Sequence, residues 1–273
     1  LGYHFHFNPP SICPTRDRWE KIRKRLSPIL NQDQATVKQF QQAIGTLVST
    51  EKIIPRGMIH LRPIQLHFLS HWFPNQDSPQ TLIHIPTHVK KAALWWMQKH
   101  NIFKGVPLRP QEPQIFVHTD ASLQGWGGVV GTSQTSGTWS STESSLHINA
   151  LEALAVLKTF HCFRKSLRDK HVLLLTDNAT TVAYLKREGG TRSPTMMDIT
   201  YRIFKLMDLW NISLQIRHLP GKLNVQAVSK VQSFIVFDHL NAFKLDQSVH
   251  EWLNLIFCRT CCLDPIRWST QNG

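Results

Sequence analysis

Carboxylates are scarce in this chain. Its 273 residues hold 18 Asp+Glu against 31 Lys+Arg, a formal net charge of +13, and no two aspartates are adjacent anywhere. A run of about eighteen apolar residues is also missing, so nothing in the sequence is a candidate membrane-spanning helix. The opening residues lack the charged-then-apolar layout of a signal peptide. They start at Leu1 and not at a methionine, and the chain is expected to be a soluble fragment of something longer. Five cysteines, Cys13, Cys162, Cys258, Cys261 and Cys262, are odd in number and unevenly scattered. That is unlike the paired framework of a small secreted domain, and a reducing compartment, cytoplasm or nucleus, is expected.

Hydrophobic residues make up 41% of the chain and nine are tryptophan, enough to build real cores, so global disorder is not expected. Basic charge is concentrated early. Residues 1–112 carry 15 Lys+Arg against 6 Asp+Glu, residues 113–240 carry 13 against 9, and residues 241–273 carry 3 against 3. Fifteen histidines add latent positive charge as pH falls toward their pKa. Nucleic acid is the expected class of partner.

Thr36-Val37-Lys38-Gln39 has the pattern of a capping box, and Val37, Phe40, Ile44 and Leu47 follow at helical spacing. A second apolar helix is predicted through Val89, Ala92, Ala93 and Trp96. Its Trp95-Trp96 pair could stack on bases, or belong to a core as aromatics on such helices commonly do. Gly105 to Gln114, with prolines at 107, 110 and 113, reads as an extended linker. Beyond it the pattern changes. Ile115–Thr119 alternates as a strand, Trp126–Gly131 is glycine-rich and apolar like a second, and a third is expected around Trp139. Apolar density from Leu146 to Leu167 predicts a helix, and Val172–Leu175 a strand buried on both faces. Helices over Ala179–Lys186 and Pro194–Trp210, a strand over Ile212–Arg217 and a last helix from about Asn224 complete the order β-β-β-α-β-α-α-β-α. That order predicts an α/β fold, a mixed five-stranded sheet with helices on its faces.

Among so few acids, three attract notice by position. Thr119-Asp120 and Thr176-Asp177 both stand at strand ends, where two carboxylates can face one site. Glu152 lies within H-I-N-A-L-E-A-L-A-V on a helical face shared with Ile148, Ala155 and Val156, where burial is costly without a cation or donor. Three converging carboxylates repel one another, and a hard divalent cation such as Mg²⁺ relieves that repulsion. The alternative is that Asp120 and Asp177 cap turns while Glu152 pairs with an arginine.

Several ordered motifs, V-H-T-D-A-S-L-Q-G-W-G, H-I-N-A-L-E-A-L-A-V, T-D-N-A-T-T-V-A-Y-L with G-G-T-R-S-P, and R-H-L-P-G-K-L-N-V, span about residues 113–232. Together they resemble the ribonuclease H domain of retroelement reverse transcriptases, most closely those of DIRS-type retrotransposons. Upstream, L-G-Y, A-T-V-K-Q-F-Q-Q-A-I-G-T-L-V-S-T and P-R-G-M-I-H-L-R-P-I-Q resemble the thumb and connection region of the same polyproteins. The resemblance implies three parts: a mainly helical thumb/connection-like segment over 1–112, a ribonuclease H-like domain over 113–240, and an unassigned tail over 241–273.

It also implies a nuclease using two Mg²⁺ ions to cut the RNA strand of an RNA–DNA hybrid. By motif, Asp120 would be shared by both ions, Glu152 and Asp177 would complete one site, and His218 would match a mobile histidine that assists the leaving group or product release. The rest of a reverse-transcriptase polyprotein would be its partner. Nothing resembles the Tyr-x-Asp-Asp turn of a polymerase palm, so polymerisation by this chain alone is not expected.

One departure bears on activity. After the H-x-P-G turn the family pattern runs N-x-x-A-D-x-L-S-R, yet here Asn224 and Ala227 are followed by Val228. Valine has no lone pair to offer a cation, and Lys230 points to a different helical face. Cleavage is therefore expected to be reduced or absent. Three readings stay open: a working ribonuclease H, a nucleic-acid-binding pseudonuclease, and a decayed retroelement fragment. In the tail, Cys258-Arg259-Thr260-Cys261-Cys262 has zinc-knuckle spacing without a second ligand pair, unless His239 or His250 joins it.

Overall fold

The computed structural model describes residues 2–109 and 111–220. The chain opens with a hairpin, β1 (Tyr3–Phe7) and β2 (Pro10–Pro14), followed by α1 (Arg16–Asn31), β3 (Gln34–Thr36), α2 (Val37–Val48), α3 (Gly57–His71), β4 (Leu82–His84), α4 (Thr87–Trp95), α5 (Lys99–Ile102) and β5 (Val106–Pro107). Thr15 caps α1 by accepting the Arg18 N–H, and Trp19, Ile22, Leu26 and Ile29 then recur at helical spacing as its buried stripe. The capping box of α2 is formed in both directions: Thr36 Oγ1 accepts the Gln39 N–H at 3.2 Å and Gln39 Oε1 the Thr36 N–H at 2.8 Å. Val37, Phe40 and Leu47 are buried as the spacing predicts, whereas Ile44 is half-buried at the edge of the same core. Trp96 is wholly buried in that core, and Trp95, half-buried, stacks on His60 with ring centroids 4.3 Å apart.

The proline-rich stretch expected as a linker is tied down at both ends. β5 pairs with β2, Ile12 opposite Val106, and the Gln114 N–H donates to the His171 carbonyl at 2.8 Å. Gly105 makes the turn into β5 with φ +73°, a conformation that favours glycine.

The second half contains β6 (Ile115–Ala121), β7 (Gly125–Val130), β8 (Ser133–Thr138), α6 (Ile148–Cys162), α7 (Arg164–Leu167), β9 (His171–Thr176), α8 (Ala179–Lys186), α9 (Pro194–Leu209) and β10 (Ser213–His218). The strands form one sheet in the order β10-β9-β6-β7-β8, antiparallel across β6, β7 and β8 and parallel across β6, β9 and β10. This is the mixed five-stranded α/β architecture expected. Two elements differ in detail. The third strand ends one residue before Trp139, whose Nε1–H instead donates to the Ser122 carbonyl at 2.8 Å. The long helix predicted to Leu167 breaks at Phe163, whose backbone (φ −98°, ψ 15°) leaves helical angles just after its N–H makes the last helical bond, to the Thr159 carbonyl. The helix expected from Asn224 lies outside the described residues.

α6 lies directly on the backbone of β7. A Cβ at Gly128 would stand 2.0 Å from Thr159 Oγ1, so only glycine lets the helix approach so closely. Gly128→Ala is expected to destabilise the chain by about 3 kcal/mol through overpacking, measured by urea unfolding; an unchanged midpoint would disprove the close approach. α6 is buried almost all round, from Ala150 to Phe160, because it is packed by the sheet below and α9 beside it. Ile59 of α3 also enters this core, so the two halves share packed surface. Among the described residues, no helix is long and apolar enough to cross a membrane.

Candidate active site

β6 and β9 are parallel neighbours, with His118 opposite Leu175 near their ends. Asp120 lies two residues beyond the first and Asp177 two beyond the second, which brings both carboxylates to the same end of the sheet. The other strand neighbour of β6 is glycine-rich, Asp120 standing opposite Gly127, and this leaves room for α6 to lie over it. Glu152, in the second turn of α6, reaches the same place. One carboxylate oxygen from each of Asp120, Glu152 and Asp177 lies within 4.8 Å of the other two. Asp120 and Glu152 are buried and Asp177 is half-buried.

The electrostatics of this cluster are unfavourable as it stands. Burial, with repulsion from Asp177 second, raises the Asp120 carboxyl to about 6, although the Ala121 amide lowers it somewhat. Burial, then Asp120 and Asp177, raises Glu152 to about 8. Glu152 Oε2 is buried with no hydrogen-bond partner. Among the described residues no ion pair reaches Glu152, so the alternative of an arginine partner is not met. Asp177 does not cap the following helix; Asn178 does, its Oδ1 accepting the Thr181 N–H at 2.7 Å. A buried, unsatisfied oxygen among three mutually repelling carboxylates has the chemistry of a hard divalent-cation site, so the residues present fit such an ion.

His218 ends β10 opposite Thr176, and its Nε2 lies 2.8 Å from the Asp177 carbonyl, where the ring N–H donates. The structure thus brings together all four residues singled out from the sequence. Two asparagines were missed. Asn178 Nδ2 donates to Asn149 Oδ1 at 2.9 Å, joining the start of α8 to the start of α6 beside the carboxylates. Their signal was their place inside the quoted motifs, one residue after Asp177 and three before Glu152. A cavity of about 830 Å³ next to them was not foreseen either. It is lined among others by Arg62, His147, Tyr184, Arg187, Arg192 and Thr195, and none of the three carboxylates lines it. Val228 and the cysteines and histidines of the tail lie outside the described residues.

Two acids at matching ends of parallel strands thus meet a third from the helix laid across them. Residues 110–201 match the RNase H-like domain found in reverse transcriptase. That RNase H-like domain includes Asp120, Glu152 and Asp177, and the match stops before β10 and His218. The chain is also similar to the enzymatic polyprotein of cauliflower mosaic virus (strain Strasbourg), 25% identical over 204 residues, covering 68% of this chain and 28% of the polyprotein. It is 25% identical to the enzymatic polyprotein of carnation etched ring virus over 177 residues, covering 61% of this chain and 24% of that protein. The chain therefore spans about a quarter of the length of the curated relatives it matches. Of solved structures, RNase H1 from the archaeon Halobacterium salinarum aligns at 17% identity and TM-score 0.38, covering 44% of this chain and 98% of that one.

Proposed function

We propose that this chain is the ribonuclease H part of a DIRS-type retrotransposon polyprotein, acting on the RNA strand of RNA–DNA hybrids, with turnover weakened at Val228. In this reading residues 1–112 are a thumb/connection-like segment, 113–240 the ribonuclease H-like domain and 241–273 a tail. The observation that carries it is the convergence of Asp120, Glu152 and Asp177 within 4.8 Å inside a segment that matches the RNase H-like domain of reverse transcriptase. The DIRS-type assignment rests on the motifs quoted above.

Asp120, Glu152 and Asp177 would hold Mg²⁺, and by the motif resemblance Asp120 would be the shared ligand. When bound, the ions supply Lewis acidity, activating water and stabilising the leaving oxygen. The chain's own residues do the rest. Asn149 and Asn178 hold the starts of α6 and α8 together, which keeps Glu152 and Asp177 on a common frame. His218, anchored on the Asp177 carbonyl beside the cluster, would be the residue to assist the leaving group or product release. The arginine-lined cavity beside α6 and α8 suits a phosphodiester backbone, since guanidinium groups and helix N-termini both favour anions.

Val228 favours a second reading, a pseudonuclease that binds hybrid without cutting it. The experiment that tests the first is Mg²⁺-dependent cleavage of a labelled hybrid by the purified chain, compared with Asp120→Asn. Slow cleavage that the variant lacks is the expected result. Cleavage equal in the two proteins would refute the assignment of Asp120, and salt-sensitive binding with no cleavage in either would favour the pseudonuclease.

A further inference from the structure

The strongest features that the site does not use lie where α3 meets the end of α8. Glu188 follows α8 in left-handed backbone, φ 50°. Its carboxylate accepts the Arg56 N–H at 3.1 Å and the Met58 N–H at 3.0 Å. Those amides form the N-terminus of α3, whose N-cap, Arg56, is also left-handed (φ 66°) and has no side-chain cap of its own. The cap missing locally is thus supplied by a carboxylate more than 120 residues away, at the helix end where negative charge is most favourable.

Other contacts secure the same junction. The Arg56 Nε–H donates to Asp208 Oδ1 at 3.1 Å and its Nη2 to the Ile212 carbonyl at 3.3 Å, while the guanidinium lies 4.6 Å from the centre of the Phe204 ring. Arg62 Nη2 donates to the Arg187 carbonyl at 2.9 Å. Gly189, with φ +100°, keeps the backbone tight against α9 and α3: a Cβ there would stand 2.5 Å from Met197 Sδ and 3.1 Å from Arg62 Cγ. The opposite end of α8 belongs to the carboxylate site, since Asp177 precedes it and Asn178 both caps it and binds Asn149. Eight residues of helix make a rod of about 12 Å between the two ends.

We infer that Glu188 is a positioning residue: it latches α3 of the preceding segment onto one end of α8 and thereby sets the Asp177 side of the carboxylate cluster at the other. The inference rests on the reading that Asp177 is an ion ligand. It makes the preceding segment a working part of the nuclease, although residues 1–109 lie outside the matched domain.

The test compares the full chain with Glu188→Gln, which keeps one acceptor oxygen and loses the charge, and with Arg62→Met, an independent loosening of the same contact. Hydrogen exchange reads the amides of residues 56–62 and 177–186, and calorimetry with Mn²⁺ reads ion affinity. Loss of roughly one capping interaction is expected to speed exchange about five-fold in both stretches and to weaken Mn²⁺ binding about five-fold, leaving β6 and β7 protected. Faster exchange confined to 56–62 with unchanged Mn²⁺ binding would overturn the inference, as would no change, or uniform loosening of the whole sheet. If the unaltered chain binds no Mn²⁺, the ion-site reading fails separately, and exchange at 177–186 still decides whether the latch reaches Asp177.

Discussion

Val228→Asp is expected to raise Mg²⁺-dependent cleavage of an RNA–DNA hybrid by on the order of 100-fold, about 2.7 kcal/mol of transition-state stabilisation. The reasoning starts from ligand count. Asp120, Glu152 and Asp177 offer carboxylate oxygens enough for one ion, but a second ion would depend chiefly on Asp120 and on substrate phosphate. Valine supplies no lone pair and its apolar surface disfavours the water shell that Mg²⁺ keeps. On the proposed reading, a carboxylate at that position would supply charge and a ligand together. The measurement is single-turnover cleavage of a labelled hybrid at saturating protein, with Asp120→Asn in the same background as the control. A gain that Asp120→Asn abolishes would mean the pocket is otherwise intact. No gain, with ion binding at Asp120 still measurable, would mean that decay extends beyond Val228.

The second large effect concerns stability without metal. Glu152 has a carboxyl raised from 4.5 to about 8, chiefly by burial. A group whose folded pKa lies above its unfolded value contributes stability that is complete below the unfolded pKa and is lost as pH rises through the folded one. The metal-free chain should therefore weaken between about pH 4.5 and 8, and Asp120, raised to about 6, adds loss in the same direction at lower pH. The upper bound for Glu152 is about 5 kcal/mol, and water entry at the strand end reduces it to on the order of 2 kcal/mol. Glu152→Gln should accordingly be the more stable protein in EDTA at pH 8.5, by several degrees in Tm, and nearly equal to the parent at pH 4.5. Mg²⁺ should reverse the order at pH 8.5, because it binds the parent's charged cluster and not the amide. Thermal scans at the two pH values, with and without Mg²⁺, check this; parallel behaviour of the two proteins would show that Glu152 is not buried as an acid.

Both effects trace to residues that the sequence pattern alone singles out. Asp120 and Asp177 were recognisable because each follows threonine at the end of an apolar run, and Glu152 because an acid stood on an otherwise apolar helical face. Local patterns of this kind are read from neighbours three or four residues away, and the capping box at Thr36 and Gln39 formed for the same reason. The break at Phe163 was not legible, since the apolar density continues across it and only the departure of its backbone from helical angles (φ −98°, ψ 15°) ends the helix. Nor was the strand at Val106, whose partner lies on the first hairpin, about ninety residues earlier.

The sequence by itself determined the order of the main strands and helices from Ile115 to His218, the mixed α/β class and the three acids that had to be reconciled with burial, because period, capping and composition act over a few residues. Only the tertiary structure decided that those acids meet within 4.8 Å, that Asn178 reaches Asn149 and that Glu188 caps a helix belonging to the other half of the chain. Each of these contacts joins residues twenty-five or more positions apart. Their partners are selected by how the sheet and helices pack, and in the case of Glu188 the partners are backbone amides, which every residue but proline carries and no sequence pattern can single out.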